Sequence, residues 1–457
     1  MNPAYLEDAS GTQGHADAVH MPADEAELSA ILQQANNGGI PVTIAGAGTG
    51  VAGGRVPSGG WIVSLERFRR LEIHSGYAYV GAGILLRDLQ AAAARSGQFY
   101  APDPTENSAS IGGNISTNAS GSKSFRYGAT RRAVQALRVV LIDGTTLNLH
   151  RGEPVPFGVP EIPVPQTTKL SAGYLLHPGM DFVDLFIGSE GTLGVVTEAT
   201  VQLLPAPAEL LAGVIFFDSD EECLRAVESW RGIERLRMLE YLDRNSLDIM
   251  RPQYSDIPAR AAAALMIEQE VLDGSELDEW AERLETATSL GESSWFASGD
   301  TDRERFRRFR HALAETVNAT VRRRGQVKMS TDFAVPLSRN AEMLSFYRER
   351  LQAEFPGEYT IFGHIGDAHV HVNVLPHSPE DVSRARDLFV EFARKAVDLG
   401  GTVAAEHGIG KRKAHLLALQ YAPEHIDAMR SVKRRLDPKW LLERGTLFAA
   451  DSHPAAS

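Results

Sequence analysis

One cysteine in 457 residues removes two classes of protein from consideration. Cys223 alone can neither close an internal disulfide nor hold an iron–sulfur cluster, which takes several thiolates. Electrons that leave this chain must leave by another carrier, and a cytosolic compartment is expected. Long apolar runs are missing as well. No stretch approaches the ~18 residues expected of a membrane-spanning helix. The opening MNPAYLEDASGTQGHADAVHMPADEAEL is polar and acidic, unlike the apolar core of a signal peptide. Basic charge is scarce: 46 Lys and Arg against 59 Asp and Glu give a net charge of −13. Without a basic field, nucleic acid and anionic membrane surfaces are disfavoured as main partners. No internal repeat or low-complexity tract is present. The expected location is cytoplasmic, at most peripheral at a membrane.

What is there fits a soluble globular protein, 43% hydrophobic and 23% charged, long enough for two domains or three. Asp24 and Glu27 read as a capping box. Leu28, Ile31, Leu32 and Ala35 then fall at helical spacing until Gly38-Gly39. A strand over 41–45 runs into a glycine-rich loop. Further strands are predicted over 61–65, 77–80, 134–142 and 195–203, with a helix over 85–95 and a proline-rich loop over 151–166. The composition shift at PAPAEL, 205–210, marks a domain boundary. The second half predicts helices near 219–231, 276–289, 303–322, 340–355 and 380–398, the last with Val382, Ala385, Leu388, Phe389, Phe392, Ala393 and Ala396 as one apolar stripe. Its strands are predicted near 211–217, 262–268, 328–335, 359–363 and 369–375. The stretch 432–450 reads as helical and then extended. This alternation predicts an α+β fold whose second domain is ferredoxin-like.

Two short segments, FGHIGDAHVHVN and GGTVAAEHGIGK, carry the densest chemistry. His364, His371 and Glu406 offer two imidazoles and a carboxylate, a donor set that suits a borderline divalent cation such as zinc. Three protein ligands leave positions open for a substrate. His407, beside the carboxylate, is placed to move a proton. Alone, the strand histidines read equally well as the wet face of a sheet, with Val370, Val372 and Val374 buried.

GAGTGVAGGRVPSGG follows the 41–45 strand. It contains a match to G-x-G-x-x-G, but residues 54–60 cannot start the helix that a Rossmann unit requires. The loop is a phosphate cradle of another kind or a plain turn. The tract PDPTENSASIGGNISTNASGSKSFRYGATRR, 102–132, presents many short donors and acceptors along an extended path, suited to a large polar ligand such as a flavin with its ribityl chain.

These segments, with GSEGTLGVVTEATVQLLP, together resemble the FAD-linked oxidase family of the vanillyl-alcohol oxidase type. The resemblance runs from about residue 16 to 450. It is closest to the branch of D-lactate dehydrogenases, D-2-hydroxyglutarate dehydrogenases and the flavin subunit of glycolate oxidase. It implies a two-domain α+β flavoprotein. Residues 1–205 would form a PCMH-type FAD-binding domain, the tail from about 408 to 457 would pack back on it, and 206–407 would form the cap. The implied cofactors are noncovalent FAD and a divalent metal, zinc or manganese. FAD contacts carry over to Ala45, Gly46, Ala47, Gly48, Thr49, Gly50 and Gly53 of the first loop. In the second tract they carry over to Pro102, Asp103, Pro104, Ser110, Gly112, Gly113, Asn114, Thr117, Asn118, Gly121 and Tyr127. In the third they are Glu190, Gly191, Gly194, Val195 and Val196. His364, His371 and Glu406 would be the metal ligands and His407 the base.

The implied reaction oxidises a D-2-hydroxy acid such as D-lactate or glycolate to the 2-oxo acid. The hydroxyl proton goes to His407 and the α-hydrogen, as hydride, to flavin N5. A quinone, a cytochrome, an electron-transfer flavoprotein or oxygen would take the electrons, and a homodimer is compatible with the branch. Alternatives are an oxidase or dehydrogenase of a different alcohol, and a non-catalytic flavoprotein subunit of an electron-transfer complex. Four departures stand out. Ala368-His369 replaces the usual Gly-Asn, and His369 could reach the substrate or add a ligand. Glu443-Arg444-Gly445-Thr446 replaces Asn-Pro-Gly-Lys. Ala45 replaces an arginine. Ser330 replaces a substrate-binding lysine of the hydroxyglutarate branch, which argues for a smaller substrate. Arg310 is the candidate clamp for the substrate carboxylate, with Arg307 and Arg308 close by.

Overall fold

The computed structural model describes residues 2–297 and 299–449, leaving aside the side chains of 300–303. Strands β1 (Ala18–His20), β2 (Val42–Ala45) and β3 (Trp61–Ser64) form a parallel sheet with β3 in the middle. Strands β4 (Leu71–His74), β5 (Tyr77–Gly81), β7 (Val134–Val140), β8 (Thr146–His150) and β9 (Val195–Gln202) form an antiparallel sheet of order β4-β5-β9-β7-β8. Strands β6 (Gln98–Phe99) and β10 (Leu204–Pro205) pair separately. Helix α1 (Glu25–Gly38) starts where Asp24 accepts from the Glu27 amide. Glu27 in turn accepts from Ala23, one residue before the cap. Its buried stripe is Leu28, Leu32 and Ala35, and Gly39 ends it at φ 64°.

The second half is built on one antiparallel sheet. Its strands are β11 (Glu209–Phe217), β12 (Leu236–Asp243), β13 (Ala263–Val271), β14 (Trp295–Ala297), β15 (Met329–Ser330), β16 (Tyr359–Gly363) and β17 (His371–Val374). The first four lie in the order β14-β11-β13-β12. With helices Asp220–Trp230 and Ser275–Ala287 in the crossovers, that is the ferredoxin-like arrangement. Strands β16, β17 and β15 extend the sheet beyond β12. Helix Pro379–Asp398 covers it with Val382, Ala385, Leu388, Phe392, Ala393 and Ala396, the stripe read from the sequence.

Four expectations change. The tract 102–132 is not extended: it contains helix α3 (Ile111–Thr117), preceded by α2 (Leu86–Arg95). The Ser110 hydroxyl caps α3 by accepting from the Gly113 amide, and Asn118 ends it at φ 50°. Glycines disguised this helix, yet Gly112 is what lets it approach. A Cβ there would sit 2.8 Å from the Ala82 Cβ. Strand β12 was hidden because Arg237 and Glu240 interrupt its apolar residues, although both are buried. The strand expected over 328–335 shrinks to β15; beyond it Ala334 makes only isolated bridges to His369 and Thr402. After helix Pro423–Leu436 the tail turns rather than extends, because the Asp437 carboxylate accepts from the Leu441 and Leu442 amides. Residues 450–457 of the expected tail lie outside the described residues.

The tail closes on the first sheet. The Val42 amide donates to Leu441, the Glu443 amide to Val42, and the Ile44 amide to the Glu443 carboxylate. Lys433 fastens this arrangement from within. It is 2% exposed and donates to Asp437 Oδ2 at 2.6 Å, to Thr192 O at 2.6 Å and to Leu442 O at 3.0 Å. Lys433→Met would strand a buried carboxylate, a loss on the order of 3–5 kcal/mol. The expected outcome is a melting temperature several degrees below that of wild type. Lys439→Met, which removes an exposed lysine, should leave melting nearly unchanged; equal effects of the two would refute the account.

Candidate active site and cofactor cleft

The loop after β2, helix α3 and the 190–196 turn meet around a cleft. Of the sequence-predicted residues, Gly46, Ala47, Gly48, Thr49, Gly50, Ser110, Gly112, Gly113, Asn114, Thr117, Glu190, Gly191, Gly194, Val195 and Val196 line it. Local geometry explains the glycines. A Cβ on Gly46 would lie 2.6 Å from Ser110 Oγ, and Gly48, at φ 78°, would press one into Arg55. The loop thus lies flat against the first turn of α3, whose amides are engaged within the protein by Ile84 O, Ala82 O and Ser110. Asn114 is 4% exposed and, among the described residues, its Nδ2 has no hydrogen-bond partner. A buried amide donor without an acceptor is costly, and a ligand carbonyl or ring nitrogen in the cleft would satisfy it. Glycine cradle and orphan side-chain amide together fit a flavin dinucleotide.

Other predicted contacts lie elsewhere. Ala45 is fully buried at the end of β2, and Gly53 packs toward Arg412. Asp103 pairs with Lys123 at 2.9 Å; Gly121 backs onto it, since a Cβ there would lie 1.9 Å from the Asp103 carbonyl oxygen. Asp103 and Pro104 line a second opening shared with Arg310, while Pro102 is buried beside them. Asn118 spends its side chain on Leu170 O and the Arg131 amide. Tyr127 donates to Glu270 at 2.5 Å. The flanks of the tract therefore pack between the two halves of the molecule.

On the far side of the cleft, β16 and β17 deliver the histidines. His364 follows β16, and its Nδ1 lies 2.6 Å from Glu240 Oε1 on β12. His371 opens β17 and donates Nδ1–H to Thr331 O at 2.8 Å. With Nδ1 engaged on each ring, the Nε2 atoms are the free donors, and they stand 3.5 Å and 3.2 Å from Glu406 Oε1. Glu406 Oε2 is held from the other side by Ser120 Oγ at 3.1 Å and Lys169 Nζ at 3.2 Å. Two imidazole nitrogens and one carboxylate oxygen thus converge with their outer atoms fixed, the way metal-binding histidines are oriented by partners on their other ring nitrogen. His407 is one-third exposed and lines the cofactor cleft. Its ring stacks on His371 at 5.4 Å and 12°, with Nε2 3.5 Å from Glu406 Oε1. His369 is fully buried among the others, 4.6 Å from the His371 ring centroid. Burial and the neighbouring His371 push its pKa down to about 3, so it is neutral. Arg310 donates Nε to Glu240 Oε2 at 3.0 Å, two bonds removed from His364. Arg307 pairs instead with Glu304, and Arg308 is exposed.

Sequence reasoning missed Asp332, Lys169 and Glu240. Asp332 accepts from the Glu406 amide at 3.1 Å, the His407 amide at 3.0 Å and Lys413 Nζ at 2.8 Å. Burial alone would raise its pKa, but His407 and Lys413 hold it well below the usual range. Glu406 is likewise kept ionised against burial, chiefly by Lys169 and His364. Each missed residue is a single charge in an otherwise unremarkable segment. The one available signal was charge inside an apolar strand, at Arg237 and Glu240.

Residues 16–150 match the model of an FAD binding domain, and residues 206–447 match that of the C-terminal domain of FAD-linked oxidases. The chain is 31% identical over 455 residues to glycolate oxidase subunit GlcD of Bacillus subtilis, covering 96% of this chain and 90% of that protein. It is 32% identical to a D-lactate dehydrogenase of Archaeoglobus fulgidus, covering 93% and 90%. It is 31% identical to a D-2-hydroxyglutarate dehydrogenase of Xanthomonas citri, covering 96% and 90%. Among solved structures, alkyldihydroxyacetonephosphate synthase shares the fold, with a TM-score of 0.66 and 16% identity over 93% of this chain and 75% of that one. No helix among the described residues is long and apolar enough to cross a membrane.

Two carboxylates in the cleft make a pH-dependent contribution. Burial pushes Glu190 up to about 7 despite donation from the Ile409 and Gly410 amides, and burial pushes Glu443 up to about 7 despite Lys411. The folded state then binds more protons than the unfolded chain between the ordinary carboxylate pKa, about 4.3, and about 7. Stability from these groups is present at the acid end of that window and falls as pH rises through it. Glu443→Gln in FAD-free protein should remove about half of this fall, leaving the Glu190 share. Melting temperature against pH for both proteins checks it; parallel curves would exclude Glu443 as a source.

Proposed function

The chain belongs to the FAD-linked oxidases, and from that premise we propose an FAD-dependent dehydrogenase of a small D-2-hydroxy acid, such as D-lactate or glycolate. The observation that carries the reading is the position of His407, which borders both the glycine-lined cleft and the convergent His364, His371 and Glu406 donors. A divalent cation, zinc or manganese, when bound there acidifies a coordinated hydroxyl, and FAD when bound accepts the hydride.

The chain's own residues do the rest. His364 and His371, neutral at Nε2, and Glu406 Oε1 supply the ligands. His407 takes the hydroxyl proton on its ring. Asp332 holds the backbone of both Glu406 and His407, so ligand and base keep their spacing. Its carboxylate lies 3.7 Å from His407 Nδ1. Arg310 has guanidinium donors to spare beyond Glu240 and Thr105 and is the proposed anchor for the substrate carboxylate. Ser330, in place of a lysine, supports a monocarboxylic substrate. FAD is held noncovalently: among the described residues, His407 is the only histidine lining the cleft and no cysteine lines it.

Anaerobic mixing with a panel of D- and L-2-hydroxy acids should bleach the flavin with a small D-acid and not with its L-enantiomer. A flavin that no hydroxy acid reduces, in protein holding both FAD and metal, would overturn the reading. His407→Ala should keep metal and FAD while flavin reduction slows by about 10²–10⁴-fold, the usual share of a general base. His371→Ala should lose the metal as well. Metal analysis and rapid-mixing rates on both variants decide it: loss of metal in His407→Ala with retention in His371→Ala would reverse the two roles.

A further inference from the structure

His369 is a departure of this chain, and its environment is unusual for a histidine. The turn Ile365–Asp367 passes into Ala368, which sits at φ 50° without being glycine. The strain is sustained by hydrogen bonds from the His369 amide to His364 O and from the Val335 amide to Ala368 O, both 3.2 Å. This turn sends the His369 ring inward, where it is fully buried. Among the described residues neither ring nitrogen has a well-formed hydrogen-bond partner. The nearest carboxylate atom, Asp332 Oδ1, is 3.4 Å from Nε2, beyond the ~2.7–3.2 Å of a good N–H···O bond. Buried polar groups left unpaired are rare and call for an explanation.

A ligand supplies one. Ligand-capable atoms of His364, His369, His371 and Glu406 all lie within 4.8 Å of one another. Donors about 2.0–2.2 Å from a shared ion sit at most ~4.4 Å apart, so a contraction of a few tenths of an ångström would close the set. Resting on the reading that this cluster binds a divalent ion, we infer that His369 is a fourth protein ligand and that the ion is six-coordinate. Three nitrogens and one oxygen complete a tetrahedral ion such as structural zinc and leave no room for substrate. On a six-coordinate ion the same four donors leave two positions, the number a 2-hydroxy acid needs to bind through its hydroxyl and one carboxylate oxygen. Manganese and other ions that accept octahedral geometry fit this demand.

The test uses the FAD-loaded full chain, stripped of metal and titrated with Co²⁺, whose visible absorption is weak when six-coordinate and intense when four-coordinate. Wild type should give the weak spectrum. His369→Asn should keep its FAD and bind Co²⁺ at least ~10-fold more weakly, since even loss of a residue behind a ligand costs that much. Unchanged affinity and spectrum in His369→Asn would overturn the inference while leaving a metal site in place. An intense four-coordinate spectrum in wild type would overturn the geometry. Failure of wild type to bind Co²⁺ at all would remove the metal reading and the inference together. Should His369→Asn fold poorly, paramagnetically shifted imidazole N–H signals of Co²⁺-loaded wild type provide the second measurement. Three are expected; two would exclude His369.

Discussion

The carboxylate of Glu406 is divided between the two halves of the molecule. One oxygen is gripped by Lys169 and Ser120, which belong to the N-terminal half, and the other faces His364 and His371 at the end of the seven-stranded sheet. A buried carboxylate needs compensation on every side. Here the compensation fixes where the sheet's edge stands relative to the cleft, and therefore how far His407 is from whatever the cleft holds. Asp332 repeats the device on the backbone, taking two successive amides so that neither Glu406 nor His407 can turn independently.

Much of this was legible before the fold was known, because periodicity survives wherever a segment meets the core on one face. Helices Glu25–Gly38 and Pro379–Asp398 were readable from their apolar stripes. The histidines were readable because a strand brings alternate residues to one side. Helix α3 was not, since its glycines signal loop until Ser110 is seen to cap it. Strand β12 was not, because Arg237 and Glu240 look solvent-facing until their buried partners appear. Lys169 and Asp332 were beyond reach for a simpler reason. Each acts through residues more than seventy positions away, and no local pattern encodes such a pairing.

The second glycine-rich tract teaches a related lesson. Read as one ligand-binding path, it divides in space: Ser110, Gly112, Gly113, Asn114 and Thr117 line the cleft, while Asp103 pairs with Lys123, Asn118 binds Leu170 and Arg131, and Tyr127 reaches across to Glu270. Composition cannot separate these roles, because short polar residues serve equally as ligand contacts and as tight packing between backbones.

The cleft draws its walls from both ends of the polypeptide. The loop after β2 and helix α3 emerge early, but Glu443 donates its amide to Val42 and receives the Ile44 amide, and Gly410 donates to Glu190. A nascent chain on the ribosome therefore lacks the last wall until most of the polypeptide has been made. Tight capture of the dinucleotide becomes an event that follows translation, and the early loops must stay soluble and open while they wait for the tail.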